Sequence, residues 1–321
     1  MTSSILTNSS AQTALLSLNQ TQQNLNTFEN QISTGLAISS AAQNASYWSI
    51  ATGLTSDAGA LGAVSTALSE SSSLLSTTTA ALQSTISVLD SVKNDLTEAS
   101  NPGANLTAIQ TDITAQQQLL FSIGSSANFN NINLLTNSTS SPTAAPAALN
   151  TLNLVASYNS DGGTSAVSYI SLTTQYTSST SVGTELFDGT TGATNAASAT
   201  GGILGTAGTN SGTSVLAINI STLTAGSTQI ANILADVETA INSVTTAAST
   251  VGGAQTNVTD QQTFISNLSS SLTTGVGSLV DADLNEASTQ IAALQVQQQL
   301  GVQALSIANS NTQLILKLFG Q

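Results

Sequence analysis

Every seventh residue from 61 to 96 is leucine: Leu61, Leu68, Leu75, Leu82, Leu89 and Leu96. Val64 and Val92 stand three residues after members of this series. An apolar period of seven draws one narrow stripe along a long helix, the pattern of a coiled-coil seam. The helix is expected to stop near Asn101-Pro102-Gly103, because proline disfavours helix in the residue before it and glycine permits a turn. A second series recurs at Val237, Val244, Val251, Val258, Ile265, Leu272 and Leu279. Leu234 and Ile241, three residues earlier, are its expected second row, which Gln255 and Gln262 interrupt. Gly252-Gly253 is a candidate bend, weakening the helix by about 1 kcal/mol per glycine relative to alanine.

Both chain ends carry helical patterns of another kind. Leu18, Leu25 and Ile32 are spaced by seven, with Leu15, Phe28 and Leu36 on adjoining positions. Near the C-terminus, Leu284, Ile291, Leu305 and Phe319 fit one heptad row, and Ala287, Leu294, Gly301, Ala308 and Ile315 fit another. Leu300, Ile307 and Leu314 form an extra row on a different face. A helix apolar on more than one face must be buried on more than one side. In a single chain that leaves exposed apolar stripes, so these ends require partners. The candidate assembly residues are therefore Leu18, Leu25, Phe28, Ile32, Leu36, Leu284, Ile291, Leu294, Leu300, Leu305, Ile307, Leu314 and Phe319.

A shorter helix is predicted across Leu106, Ile109, Ile113 and Leu120. The middle, 137–229, departs from this periodicity. Thr151–Tyr158, Ala166–Leu172 and Thr213–Ile220 read as strands from their alternation and their Val, Ile, Tyr and Thr content, and Thr190–Gly212 reads as loop. The predicted fold class is mainly α: long antiparallel coiled-coil-like helices from both chain ends, with a small β-rich inserted outer domain. An ordinary four-helix bundle with a β excursion would not explain terminal helices that are apolar on more than one face.

Composition narrows the chemistry. The 321 residues include no Cys and no His, and the only basic side chains are Lys93 and Lys317. Thiol chemistry, imidazole general bases and the commonest metal ligands are excluded. Two cations cannot neutralise a phosphate backbone, so no nucleic-acid partner is expected. Charged residues make up 6% of the chain, with a net charge of −14. The polar surface must therefore be Ser, Thr, Asn and Gln, which do not titrate. The N-terminal segment lacks the basic and apolar regions of a secretory leader, and no apolar run is long enough for membrane insertion. In the insert, Glu185 and Asp188 could form a carboxylate pair or half of a calcium site. The simpler expectation is a solvated loop with a turn at Asp188-Gly189. Asp281, Asp283 and Glu286 are expected in the first turn of the last helix, where they suit its macrodipole. No catalytic, cofactor-binding or metal-binding residue is assigned.

Two long motifs resemble a known family. Gln31-Ile-Ser-Thr-Gly-Leu-Ala-Ile-Ser-Ser-Ala-Ala-Gln-Asn-Ala-Ser46 resembles the N-terminal signature of bacterial flagellins, R-I-S-T-G-L-R-(I/V)-x-x-A-x-D-(D/N)-A-A. The following Tyr47-Trp-Ser-Ile-Ala-Thr52 is similar to the variant of an alphaproteobacterial subgroup. Asn128-Phe-Asn-Asn131 resembles the family's loop before its variable region. Asp281-Ala-Asp283, Leu294–Asn309 and Leu314-Ile-Leu-Lys-Leu-Phe319 resemble its C-terminal signature. The resemblance implies a structural, non-enzymatic subunit that polymerises with itself into the extracellular flagellar filament. Segments 1–45 and 281–321 would form an inner tube, 46–136 and 230–280 a helical shell, and 137–229 the variable outer insert. It further implies export by the flagellar type III apparatus, and as partners the flagellar cap, the hook-associated junction proteins and an export chaperone that binds the C-terminus.

The family's two arginines in the N-terminal motif are Gln31 and Ala37 here, its acidic pair is Gln43-Asn44, and its basic last residue gives way to Gly320-Gln321. Neutral hydrogen bonds are expected to replace the missing ion pairs. The family's patch for the vertebrate flagellin receptor, L-Q-R-V-R-E, corresponds to Leu89-Asp-Ser-Val-Lys-Asn94, which implies weak recognition. A hook–filament junction protein or a related type III-exported filament subunit is the alternative. A third class, a flagellin with a zinc protease in its insert, needs H-E-x-x-H and is excluded by the absence of His.

Overall fold

The computed structural model describes residues 8–137, 151–161, 164–174, 183–188 and 201–319. Its elements are α1 (Ser9–Thr34), α2 (Ala45–Ala99), α3 (Leu106–Ser126), the short strands β1 (Asn128–Phe129), β2 (Ile132–Asn133) and β3 (Thr136–Asn137), the hairpin strands β4 (Thr151–Asp161) and β5 (Thr164–Thr173), β6 (Phe187–Asp188), the single turn α4 (Gly202–Gly205), α5 (Thr228–Val280) and α6 (Leu284–Phe319). The chain forms two compact units: Met1–Gly59 with Ser269–Gln321, and Ala60–Leu268.

In the Ala60–Leu268 unit, the leucine series is the core. Leu61 is 2% exposed, and Leu68, Leu75, Leu82, Leu89 and Leu96 are completely buried. The neighbouring row of α2 runs Val64, Ser71, Thr78, Thr85, Val92, Ala99, all buried. Three hydroxyls thus lie in an apolar seam. Each donates to a carbonyl one turn back: Ser71 to Ala67 O (2.8 Å), Thr78 to Leu74 O (2.9 Å) and Thr85 to Ala81 O (2.9 Å). Leaving such a hydroxyl unpaired would cost about 1–3 kcal/mol, and the back-bond avoids that without help from a facing helix.

The α5 seam holds Val237, Val244, Val251, Val258 and Ile265 as the spacing predicts, whereas Leu272 and Leu279, the last two members of the series, are only half-buried. Its second buried row is Ile233, Ala240, Ala247 and Ala254. Leu234 and Ile241 are half-buried, and so are Gln255 and Gln262, which do not interrupt the core. Rows on either side of a helical stripe are both adjacent to it. The alanine row wins because small side chains let the helix axes come closer. Helix α5 continues through Gly252-Gly253 without a break.

Two contacts show the register of α2 against α5. Gln262 Nε2 donates to Ser69 Oγ (3.3 Å), and Lys93 Nζ lies 2.8 Å from Glu238 Oε1. The interval is 24 residues on each helix (69 to 93, 238 to 262), the register of an antiparallel pair without slip. Helix α2 ends at Ala99, and Gly103 takes a left-handed φ of 93° in the turn that follows. Helix α3 buries Leu106, Ile109, Ile113 and Leu120 as predicted. Asn130 and Asn131, both left-handed, turn β1 into β2, the conformation that a two-residue hairpin loop requires.

The two expected strands Thr151–Tyr158 and Ala166–Leu172 lie in β4 and β5, which pair antiparallel from Thr151 opposite Thr173 to Asp161 opposite Thr164. Thr213–Ile220 is not a strand. Val215–Ala217 is a 3₁₀ turn whose backbone is held by side chains of α3. Gln117 Nε2 donates to Val215 O (2.9 Å) and Ile218 O (3.1 Å). Gln110 Nε2 donates to Ile218 O (3.1 Å), while its Oε1 accepts from Ile220 N (2.6 Å). Glutamine amides thus satisfy peptide groups that a strand would pair with another strand.

The expected loop Thr190–Gly212 also needs correction. Residues 190–200 lie outside the described residues, but Gly202–Gly205 is the helical turn α4. It joins the segment before it through Ile203 N to Glu185 O (3.0 Å) and Leu204 N to Leu186 O (2.7 Å). Glu185 is buried, not in a solvated loop, and Asp188 belongs to β6, parallel to β3; Gly189 lies outside the described residues. Phe187 stacks on Phe121 with ring centroids 5.1 Å apart.

Asp236 is a buried carboxylate that the periodicity does not reveal. It accepts from Asn210 N (3.0 Å), Asn210 Nδ2 (2.8 Å) and Ser211 N (2.7 Å). A side chain at Gly208 would run into this carboxylate. Burial pushes the Asp236 carboxyl up, but the hydrogen bonds from Ser211 and Asn210 together outweigh it and hold the group below its ordinary value.

Candidate assembly surface

The unit formed by the chain ends contains α1, α6, the start of α2 and the end of α5. Asn8 caps α1, its side chain accepting from Ala11 N (3.0 Å). Gly35 ends the helix in a left-handed conformation (φ 74°), its N–H bonded to Gln31 O (2.8 Å). The chain then runs antiparallel to residues 280–282. Leu36 bridges to Asp281, Ala37 N donates to Val280 O (2.7 Å), and Ala282 N donates to Gly35 O (2.9 Å).

The neutral residues at the expected acidic pair act as acceptors. Gln43 Oε1 accepts from Ser39 N (2.6 Å) and Ser40 N (3.3 Å), and Asn44 Oδ1 caps α2 by accepting from Tyr47 N (3.2 Å). Asp283 caps α6, accepting from Asn285 N (2.9 Å) and Glu286 N (3.2 Å). Of the three acids expected in the first turn, Glu286 alone lies there; Asp283 is the cap before it and Asp281 belongs to the bridge with Leu36.

Helices α1 and α6 pack antiparallel. Gln298 Nε2 donates to Gln22 Oε1 (2.6 Å), and Asn8 Nδ2 donates to Ala308 O (2.9 Å). A Cβ at Gly301 would stand 3.3 Å from Leu18 Cδ1, so the small residue sets the closest approach. Leu25, Thr21, Ala287 and Leu294 are buried in this pair, with Leu18, Phe28, Leu36, Ile291 and Leu305 half-buried.

The other predicted assembly residues are open. Ile32, Leu284, Leu300 and Ile307 are exposed, the last at 65%. Leu314 and Phe319 lie in α6, with side chains outside the described residues. At 100° per residue, Val296, Leu300 and Ile307 point about 200–240° around α6 from Leu294, close to the opposite face. Helix α6 therefore has two apolar sides, of which α1 shelters one. Leu15 and Leu16 extend the open apolar surface on α1. The heptad rows did not single out Val296, Val302 or Leu16. Val296 lies four residues before Leu300, so it continues that outer row at helical spacing.

Charge is scarce here. Between residues 8 and 56 the only charged side chain is Glu29. A carboxylate-poor, two-sided apolar helix suits burial between neighbours, because few charges have to be desolvated. Among the described residues, no group of three metal-binding side chains forms, and no helix is long and apolar enough to cross a membrane.

The profile of the bacterial flagellin N-terminal helical region matches residues 5–140, and that of the bacterial flagellin C-terminal helical region matches residues 234–319. The chain belongs to the bacterial flagellin family. It is 38% identical to the flagellin of Brucella melitensis over 317 residues, covering 98% of this chain and 99% of that one. It is 37% identical to flagellin C of Rhizobium meliloti over 323 aligned residues, with the same shares covered. With flagellin FljM of Caulobacter vibrioides it shares 30% identity over 319 residues, 98% of each chain. The long helices from both ends and the small central sheets are the flagellin plan, and flagellins are structural subunits of the extracellular flagellar filament. The chain is accordingly a filament subunit that assembles with copies of itself, and the junction-protein alternative is not favoured.

Proposed function

We propose that polymerisation proceeds through α1 and α6, with the outer face of α6 covered by neighbouring copies. The observation that carries this reading is the pair of opposite apolar faces on α6, one sheltered by α1 and one open at Val296, Leu300 and Ile307. In the filament, 1–45 and 281–321 form the inner tube, 46–136 and 230–280 the shell, and 137–229 the outer insert. The chain leaves the cell through the flagellar type III apparatus, held at its C-terminal helix by an export chaperone that covers the same apolar stripe. It then adds beneath the cap, on a base of hook-associated junction proteins. No residue of the chain is assigned a catalytic role.

Seeded polymerisation of the purified chain tests this directly. Negative-stain images are expected to show filaments of uniform diameter. Replacing Leu300 and Ile307 together by Ser should abolish them while leaving the subunit soluble and helical. Discrete small complexes in place of filaments, or normal filament yield from the double variant, would contradict the proposal.

A further inference from the structure

Helix α3 carries two rows at a spacing of seven. Leu106, Ile113 and Leu120 are apolar and buried. Gln110, Gln117 and Gly124 stand beside them, with Gln117 and Gly124 buried and Gln110 half-buried. An amide in such a row is unfavourable unless it is hydrogen-bonded. Gln117 donates to the carbonyls of Val215 and Ile218, and Gln110 both donates to Ile218 O and accepts from Ile220 N. The two side chains thus read a peptide backbone as the edge of a neighbouring strand would. At the third position a side chain on Gly124 would run into the ring of Phe187.

The backbone they read belongs to a segment rich in glycine and threonine, the composition of the insert, yet its contacts are those of a core. Ile203, Leu204, Val215, Leu216, Ile218 and Ile220 are all buried. In the β4–β5 hairpin, by contrast, Val167 and Tyr169 are exposed, and Val155, Tyr158 and Ile170 are half-buried. The segment is also tied to the two long helices of the same unit. Asp236 of α5 accepts from Asn210 N and Ser211 N, and Gln229 Nε2 donates to Ser211 O (3.2 Å). Gly226, left-handed with φ 72°, donates its N–H to Ala99 O at the end of α2 (3.2 Å).

We propose that residues 201–227 are a strap that closes the central helical unit, seated on α3 by Gln110 and Gln117 and on α5 by Asp236, and that the outer insert ends before Gly201. The inference rests on the filament reading for its division into shell and insert, and it narrows the insert given there. A segment whose apolar side chains lie in the core of a unit, and whose peptide groups are satisfied by that unit's side chains, opens together with it. The strap and α3 therefore share one unfolding event, from which the hairpin is separate.

Hydrogen exchange by mass spectrometry on the full-length soluble subunit, with and without sub-denaturing urea, tests this. Residues 203–223 are expected to exchange in step with 106–126 and more slowly than 151–173. Gln117→Leu leaves two carbonyls without their donor and should speed exchange by roughly tenfold or more across both the strap and α3, with a lower urea midpoint for the loss of helical circular dichroism. Gln110→Leu, at a half-buried position, is the milder variant and should act in the same direction on the same segments. Leu172→Ala, at a buried site of β5, should speed exchange within 151–173 and leave the strap and the urea midpoint in place. A strap that exchanges in step with the hairpin, or Gln110 and Gln117 variants that alter 203–223 without altering 106–126, would overturn the proposal. Both measurements use the soluble subunit, so such a result would leave the filament reading intact.

Discussion

The α2–α5 seam between residues 60 and 268 and the terminal pair α1–α6 are both antiparallel helix pairs with heptad spacing, yet they end in different states. In the first, the two central rows of α2 are buried without exception, and even the seam hydroxyls are satisfied within their own helix. In the second, Leu25 and Leu294 are buried while Leu300 and Ile307, one face away, stand in water. One pair meets its hydrophobic requirement inside the chain. The other meets half of it and keeps the remainder for a neighbour. A heptad row reports that burial will occur; the number of apolar faces reports whether one chain suffices.

The sharpest way to break this comparison is to exchange the effects of substitution. Leu82→Ala, at a completely buried site, should destabilise the soluble subunit by about 2–5 kcal/mol, measured by urea unfolding. Leu300→Ser with Ile307→Ser should leave that unfolding curve in place and instead eliminate polymer. Leu305→Glu, which the heptad rows alone would treat as a pure assembly block, should act earlier. Leu305 is half-buried beside α1 in the single chain, so its charge should also loosen the subunit's terminal pair.

A smaller effect concerns Asp236. Asp236→Asn places an amide NH₂ among N–H donors and should cost about 1–3 kcal/mol. Because hydrogen bonds depress the folded pKa of Asp236, its contribution is fully present above the unfolded carboxylate value of about 3.9 and is lost as pH falls through the lower folded value. Subunit stability should therefore be flat from pH 7 to about 4.5 and fall below it, and the variant should lack this part of the fall. Filaments should behave similarly, since the described terminal faces carry little that titrates. Turbidity lost at mildly acidic pH would show that the few carboxylates control the interface.

The least perturbing test concerns Lys93. The resemblance implies an arginine of the receptor-binding patch at this position, and the Lys93 ammonium is engaged by Glu238, which raises its pKa. A lysine cannot supply the bidentate fork of a guanidinium. Receptor reporter cells should respond weakly. A response equal to that of a strongly recognised flagellin would contradict the reading.

Long-range regularity was legible. The leucine series, the valine series, α3 and the doubly apolar α6 all follow from spacing, because a helix repeats the same geometry at every turn. What could not be read depended on partners far along the chain. Leu234 and Ile241 were as good a second row as Ala240 and Ala247 until a facing helix chose between them. Val, Leu and Ile at 215–220 suggested a strand because the competing partners, Gln110 and Gln117, lie about a hundred residues away. Nothing near Asp236 marks it as buried, since its donors come from a loop 25 and 26 residues earlier. Val296 was within reach, one helical turn before Leu300, had the outer row been extended towards the N-terminus.

Hydrogen exchange read by mass spectrometry, on the soluble subunit and on the polymer, addresses the central difference most directly. The account predicts slow exchange at 61–99 and 230–265 in both forms. It predicts rapid exchange at 9–34 and 284–308 in the subunit and slow exchange there in the polymer. Equal protection of the terminal and central helices in the subunit, or terminal helices that stay unprotected after polymerisation, would contradict it.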